Sequence, residues 1–220
     1  MSQPVPEQVG LLEGLRSTPS RRYLSDTPIP DDLLWELLDT AIRGPSGGNR
    51  QRWAWLVVTD PSVKTRIADW YRQGWDAAYG VRREELSDPG RSGVDTGLTP
   101  SSYRATEYLA QHLGEAPVFV VPVLRDAADS TDKRLGSSIY GAVQQLLLAA
   151  RAHGIGGVLT SLYLGAEDRV DALLGLPDDA ATMGLVPLGY PARGRWSQPR
   201  RRPVEEVVHW ERWGETRTRD

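Results

Sequence analysis

The residues best suited to bind a ligand lie in one loop, residues 43–53, which reads Arg-Gly-Pro-Ser-Gly-Gly-Asn-Arg-Gln-Arg-Trp. Its two consecutive glycines allow the backbone to approach a ligand closely. The loop also supplies short polar side chains and positive charge, from Ser46, Asn49, Gln51, Arg50 and Arg52. Such a loop can hydrogen-bond the edge of a flat heterocycle or hold a phosphate. Taken alone, the same composition is more often that of an ordinary turn.

Two further segments carry clustered arginines. Ser20, Arg21 and Arg22 are consecutive near the start of the chain, and residues 200–202 are three consecutive arginines near its end. A phosphate dianion is bound by guanidinium groups together with neutral donors, and Ser-Arg-Arg offers both. In isolation, each cluster is more often a solvated basic turn.

The sequence lacks the residues of several other kinds of active site. It contains no cysteine, which excludes disulfides, thiolate nucleophiles and thiolate-bound metals. The three histidines, His112, His153 and His209, have no metal-ligand spacing. No acid–base pair or activated nucleophile stands out either. This absence is typical of an enzyme whose reactive atom belongs to a bound cofactor.

The loop at residues 43–53 joins a helix to a strand. Residues 31–42 have one apolar stripe, which predicts an amphipathic helix, with Asp31 as its N-cap. Pro45 ends that helix. Residues 53–59 have the aromatic and β-branched content of a strand.

Downstream, residues 63–79 are predicted as a helix, and a second helix carries Tyr103, Tyr108 and His112. The uninterrupted apolar run at residues 116–124 predicts a strand buried on both faces. Further strands are predicted at residues 157–161 and 183–191, and a short helix at residues 167–174.

The helix predicted at residues 137–151 is apolar nearly all round, so it must be buried on several sides. In a chain of 220 residues, this suggests that the helix packs against a second subunit as well as its own sheet.

Composition favours one soluble domain, which we place at residues 10–214. Hydrophobic residues make up 40% and charged residues 25%, with a net charge of −3. This charge gives no reason to expect a nucleic-acid or membrane partner. No apolar stretch is long enough to span a bilayer, and the first residues do not form a secretory signal, so we expect a cytoplasmic protein. Residues 84–106 include a long polar excursion, which predicts a lid or insertion loop.

Several blocks resemble, in the same order, the motifs of the FMN-dependent nitroreductase family. Residues 41–53 resemble A-x-x-A-P-S-x-x-N-x-Q-P-W, and residues 17–30 resemble R-x-S-x-R-x-F-x-x-x-P-V-P. The helix at residues 137–151 resembles A-x-Q-N-L-x-L-A-A, and the tail resembles R-x-P-x-E-E-V-V. The departures are Thr18 or Pro19 in place of the first arginine, Gln145 in place of asparagine, and Arg52 in place of proline.

The resemblance implies an α+β fold, with a mainly antiparallel sheet flanked by helices, in an intertwined homodimer holding two flavins at the subunit boundary. It implies that Ser20 and Arg22 hold the FMN phosphate with Arg201 or Arg200, and that backbone amides at residues 159–161 face the ring. Either Arg16 or Arg21 replaces the missing first arginine, or the phosphate is held with one contact fewer. The cofactor-binding set that it predicts is Ser20, Arg21, Arg22, Pro45, Ser46, Gly47, Asn49, Gln51, Leu159, Thr160, Ser161, Arg200 and Arg201.

The implied activity is that of an FMN-dependent NAD(P)H oxidoreductase, which passes hydride to flavin and then to a nitroaromatic, a quinone or a similar acceptor in a ping-pong mechanism. Arg50 or Arg52 is available to stabilise the reduced, anionic flavin. The alternatives are a dehalogenase or flavin-cleaving enzyme on the same fold, and a non-catalytic flavin-storage protein.

Overall fold

The described part of the chain contains six α-helices and five strands, besides short 3-10 helices. The computed structural model describes residues 9–80, 99–127 and 136–218. The helices are α1 Leu11–Arg16, α2 Asp31–Ala41, α3 Pro61–Tyr79, α4 Pro100–His112, α5 Ser137–Ala152 and α6 Glu167–Leu174. The strands are β1 Trp53–Val58, β2 Val118–Leu124, β3 Gly156–Gly157, β4 Ala181–Thr182 and β5 Val186–Gly189.

The strands form one antiparallel sheet in the order β1-β2-β5-β3, with β4 also paired to β2. All seven residues of β2 are buried, because this strand has neighbours on both edges and helices on both faces. The prediction of a central buried strand is therefore confirmed, as is the α+β fold with an antiparallel sheet.

Two hydrophobic cores lie on opposite faces of the sheet. Because side chains alternate along a strand, β2 contributes Phe119 and Val121 to one core and Val118 and Val120 to the other. The first core contains residues of α3 and α4, and the second contains residues of α2 and α5. The apolar stripe predicted on α2 supplies part of the second core.

Some element boundaries differ from the predictions. Asp31 is the first residue of α2 and not its N-cap. Pro30 occupies the N-cap position, and no side chain makes a capping hydrogen bond there. The strand predicted at residues 157–161 is shorter, with β3 ending at Gly157 and an isolated bridge joining Thr160 to Leu185.

The predicted lid at residues 84–106 falls largely outside the described residues. Its last part is helical, since Pro100 begins α4 and the Thr99 hydroxyl accepts a hydrogen bond from the Ser102 amide at 3.2 Å. Within the described residues, no helix is both long enough and apolar enough to cross a bilayer.

Candidate functional site

Five segments of the chain surround a cavity of about 940 Å³. They are residues 18–22, the N-terminus of α4, the middle of α5, residues 157–159 and the tail at residues 197–201. The cavity is lined by Thr18, Pro19, Ser20, Arg22, Thr99, Ser101, Ser102, Gln144, Leu147, Gly157, Leu159, Ser197, Pro199, Arg200 and Arg201. Five of the predicted site residues are thus brought together: Ser20, Arg22, Leu159, Arg200 and Arg201.

The described wall of this cavity is strongly basic, with three arginines and no carboxylate. Arg22 is half-buried and makes no hydrogen bond or ion pair with another described residue. Burial lowers the pKa of the Arg22 guanidinium, while the neighbouring phenols of Tyr71, Tyr23 and Tyr79 act in the opposite direction. A charged group with no counter-ion favours an anionic ligand, since the anion offsets the cost of its desolvation.

Hydroxyl groups supply neutral hydrogen-bonding partners around the arginines. Four serines line the cavity: Ser20, Ser101, Ser102 and Ser197. Two of them lie in the first turn of α4, where the Thr99 hydroxyl is 3.0 Å from that of Ser101. The positive end of a helix dipole adds to the attraction for an anion. The cavity therefore combines the two kinds of group that a phosphate needs.

Arg21, which was predicted to contact the phosphate, does not line the cavity. Its guanidinium donates to three backbone carbonyls, those of residues 193, 194 and 195, at 2.7 to 3.1 Å. The same group lies 5.0 Å from the ring centroid of Trp196, and the guanidinium of Arg151 is 4.2 Å from that centroid. Arg21 holds the segment just before the tail arginines, and its direct contact with a phosphate stays a prediction.

The predicted loop residues Pro45, Ser46, Gly47, Asn49 and Gln51 do not line the cavity either. They form a separate surface turn with its own hydrogen bonds. The Gln51 backbone amide donates to the Ser46 hydroxyl at 3.1 Å, and the Gln51 side-chain amide donates to the side-chain oxygen Oδ1 of Asn49, also at 3.1 Å. The Gly47 amide donates to the Ser138 hydroxyl on α5 at 3.1 Å.

This loop has an unusual backbone conformation. Gly48 has φ 59°, which glycine adopts without strain, but Asn49 and Gln51 also have positive φ, 51° and 48°. A left-handed conformation costs a residue with a Cβ atom roughly 1–2 kcal/mol. Such strain accumulates where the backbone serves a ligand or an interface. Arg52, at the end of the loop, forms an ion pair with Asp126 at 3.5 Å.

Residues 159–161 follow β3 and differ from one another in their contacts. Leu159 lines the cavity and is 37% exposed. The Thr160 amide, however, donates to the Leu185 carbonyl at 2.9 Å, so it is not free to face a ligand. The Thr160 hydroxyl is 2.9 Å from that of buried Tyr71, whose pKa is raised by burial. Ser161 is exposed and lies outside the cavity wall.

Comparison with known proteins identifies the family. Residues 15–190 match the nitroreductase family. This chain belongs to the nitroreductase family.

The relatives of this nitroreductase-family oxidoreductase include an NADH dehydrogenase from Thermus thermophilus. The two are 32% identical over 208 residues, which cover 86% of this chain and 90% of the relative.

Two solved structures share the fold. One is oxidized iodotyrosine deiodinase bound to FMN and 3-iodo-L-tyrosine, with a TM-score of 0.71, 23% identity and coverage of 93% and 100% of the two chains. The other is a variant of an FMN- and NADPH-dependent nitroreductase from sphigopyxis sp. strain HMH, with a TM-score of 0.69, 21% identity and coverage of 93% and 100%.

In this nitroreductase-family chain, the sequence predictions missed the part of the wall formed by α4, Gln144 and Ser197. A signal was present for α4. Thr99 followed by Pro100 is a typical helix start, with a hydroxyl cap and a proline in the first turn. No such pattern marks Ser197, which lies in an irregular tail.

Proposed function

We propose that this oxidoreductase uses FMN and NAD(P)H to reduce a nitroaromatic, a quinone or a similar acceptor. One observation carries the proposal: the cavity gathers Arg22, Arg200 and Arg201 around hydroxyl groups, with no carboxylate among its described lining residues. This is the environment that the terminal phosphate of FMN requires.

The cavity fits such a cofactor in size and chemistry. Its volume of about 940 Å³ lies within the range of about 300–1,000 Å³ that small-molecule sites occupy. Arg22, Arg200, Arg201 and Ser20 would hold the phosphate. Leu147 and Leu159 offer apolar surface to the ring system.

Bound FMN would supply the chemistry of hydride transfer between a nicotinamide and an acceptor that use the same face in turn, which predicts ping-pong kinetics. The chain's own groups bind and orient the cofactor. Arg22 compensates negative charge from a half-buried position, where its effect is screened less than at the surface. Tyr71 fixes the hydroxyl of Thr160, next to Leu159 in the cavity wall.

A homodimer is part of this proposal, because the loop at residues 45–51 lies apart from the cavity within one chain. A second copy can bring its own loop to the cavity mouth. The described surface also exposes large apolar side chains on α1 and the tail, including Leu11 at 76% and Trp213 at 90%. Burial of such side chains between subunits stabilises a dimer.

The decisive experiment is to purify the protein and identify its chromophore. The proposal expects a yellow protein that releases FMN on denaturation and consumes NADH or NADPH steadily with a quinone or a nitroaromatic. Bound FMN without turnover would leave a flavin-storage protein as the only remaining interpretation. A colourless protein that takes up no added FMN would exclude every flavin-dependent function.

Reductive dehalogenation is the second candidate, and the similarity to the iodotyrosine deiodinase structure favours it. The test supplies 3-iodotyrosine to the reduced, FMN-loaded protein and measures iodide release. Iodide formed at a rate above that of quinone reduction would select this candidate. Its absence, with quinone reduction intact, would select the first.

A further inference from the structure

A second groove, of about 520 Å³, adjoins the cavity. Ser101 lines both. An extended molecule with one end in the cavity can therefore place its other end in the groove. A nicotinamide dinucleotide is such a molecule, since its ring must reach the cavity while its adenosine end lies far from the ring.

One side of the groove is a face of α4. Ser101, Arg104, Tyr108 and Gln111 all line it. Their spacing of three, four and three residues places them on one side of a helix. This face presents a hydroxyl, a guanidinium, a phenol and an amide, all of which can donate hydrogen bonds.

Arg193 also lines the groove, and its guanidinium is held by aromatic rings. It lies 3.5 Å from the ring centroid of Tyr23 and 5.4 Å from that of Tyr108. The two tyrosine rings are 4.5 Å apart, and Tyr108 stacks on His112 at 4.2 Å. A guanidinium that stacks by its face still has its N–H groups free at its edge. Arg193 is thus positioned before a ligand arrives.

The charge of the groove favours an anion. Neither Arg104 nor Arg193 is paired with a carboxylate among the described residues. Glu107 also lines the groove, so its lining side chains carry a net charge of about +1 at neutral pH. Arg104 and Arg193 are both exposed, which leaves them accessible from solvent.

We propose that this groove binds the 2′-phosphate of NADPH and so selects NADPH over NADH. The inference rests on the proposed function, which places the nicotinamide in the neighbouring cavity. A phosphate monoester carries about −1.5 to −2 charges at pH 7 and presents three acceptor oxygens. Two guanidiniums match this group better than they match the singly charged diesters that NADH also contains.

The test has a binding arm and a kinetic arm. Adenosine 2′,5′-bisphosphate is titrated calorimetrically into the purified protein, with ADP as the comparison ligand, and KM and kcat are measured with NADPH and with NADH. The variants are Arg104→Ala, Arg193→Ala and the charge-retaining Arg104→Lys. The control is Arg66→Ala, an arginine on α3 that stacks on Trp70 outside the groove.

The bisphosphate should bind more tightly than ADP, and each alanine variant should weaken it roughly 10-fold or more, as expected for the loss of a charge-assisted hydrogen bond. KM for NADPH should rise by a similar factor, while kcat and the NADH constants stay unchanged. Arg104→Lys should recover part of the loss, and Arg66→Ala should have no effect.

Equal binding of both ligands, or unchanged constants in both alanine variants of an active enzyme, would overturn the groove assignment and leave the proposed function intact. Failure of the proposed function looks different. In that case the protein binds no FMN and oxidises neither nucleotide, whatever the titration shows.

Discussion

The guanidinium of Arg22 differs from that of its neighbour Arg21 in having no protein acceptor among the described residues. Arg21 has three carbonyl acceptors, at residues 193–195. In an extended segment, successive side chains point to opposite sides. The Arg21 amide pairs with the Gly157 carbonyl, and the carbonyl of Tyr23 accepts from Ala192. The sequence shows two adjacent arginines, and only these pairings reveal which one faces the cavity.

Charge reversal at Arg22 tests the phosphate site directly. Arg22→Glu and Arg201→Glu should each weaken FMN binding by about 1.5 to 3 kcal/mol, because each removes a charge-assisted hydrogen bond. The dissociation constant is measured by quenching of flavin fluorescence. Arg66→Glu, remote from the cavity, is the matched control. Unchanged affinity in both cavity variants would show that the phosphate lies elsewhere.

Among the described glycines, Gly74 leaves the least room for a side chain. A Cβ atom there would lie 1.9 Å from the Leu162 carbonyl oxygen, where α3 passes the turn at Leu162–Ala166. Gly74→Ala should therefore lower the free energy of unfolding by about 3 kcal/mol, since backbone must move. Gly165→Ala, in the same turn with no atom within 4 Å, is the control. Denaturant titration measures the free energy of unfolding of both variants. Equal values for the two variants would contradict the predicted clash with the Leu162 carbonyl.

At the scale of elements, the tail that carries Arg200 and Arg201 has no regular structure of its own. It is held upstream by the Arg21 hydrogen bonds and by the stacking of Arg21 and Arg151 around Trp196. If Arg21 acts by positioning this tail, its effect on FMN binding must pass through the tail arginines.

A double-mutant cycle measures this dependence. Arg21→Met should weaken FMN binding in the otherwise unchanged protein, yet have little further effect in an Arg201→Ala background. Strict additivity of the two changes would show that Arg21 acts independently of Arg201. Arg66→Met, which removes a comparable guanidinium–indole contact at Trp70, should leave affinity unchanged in both backgrounds.

The carboxylates of α6 give a pH-dependent prediction. Burial raises the pKa of both Glu167 and Asp171, and the charge of Asp168 adds to the effect on each. A raised folded-state pKa means that the native protein binds protons more readily than the unfolded chain. The resulting stabilisation is fully present below about pH 4, the unfolded value for aspartate, and is lost as the pH rises through the folded-state pKa.

Asp171→Asn should therefore raise the melting temperature at pH 7 and give a smaller gain near pH 4. The corresponding gain in the free energy of unfolding should stay under about 1 kcal/mol, because solvent screens these partly exposed groups. Asp178→Asn, at an exposed position on the following turn, is the control. A gain that is the same at both pH values would exclude charge repulsion as its cause.

The elements that the sequence predicted well are those with long apolar patterns. Two of them are the apolar run that contains β2 and the apolar helix α5. Both are long enough to be recognised from hydrophobicity alone. The strands β3 and β4 have two residues each, too few to show any alternation. They exist because neighbouring strands offer hydrogen-bonding partners, which is tertiary information.

At the scale of the whole molecule, the predicted site is split between two places. The sequence resemblance assigns Pro45, Asn49 and Gln51 to the same site as Arg22 and Leu159, but only the latter two line the cavity of one chain. Reading motifs along a chain does not reveal which copy of the chain supplies each motif. The proposed two-fold symmetric dimer would resolve the split, because each cavity could then receive the loop of the other subunit.

Mixing two defective variants tests this arrangement. Arg201→Glu damages the cavity wall, and a Gly48→Val, Asn49→Val double substitution damages the loop by placing β-branched residues at positive φ. Each variant alone should form dimers with little oxidoreductase activity. After subunit exchange, a mixed dimer has one site with both lesions and one site with neither, so random exchange restores about a quarter of the sites. Size-exclusion chromatography with light scattering confirms the dimers, and NAD(P)H consumption reports the recovery. If each site were built from one chain, mixing would restore nothing, because every site would retain one lesion.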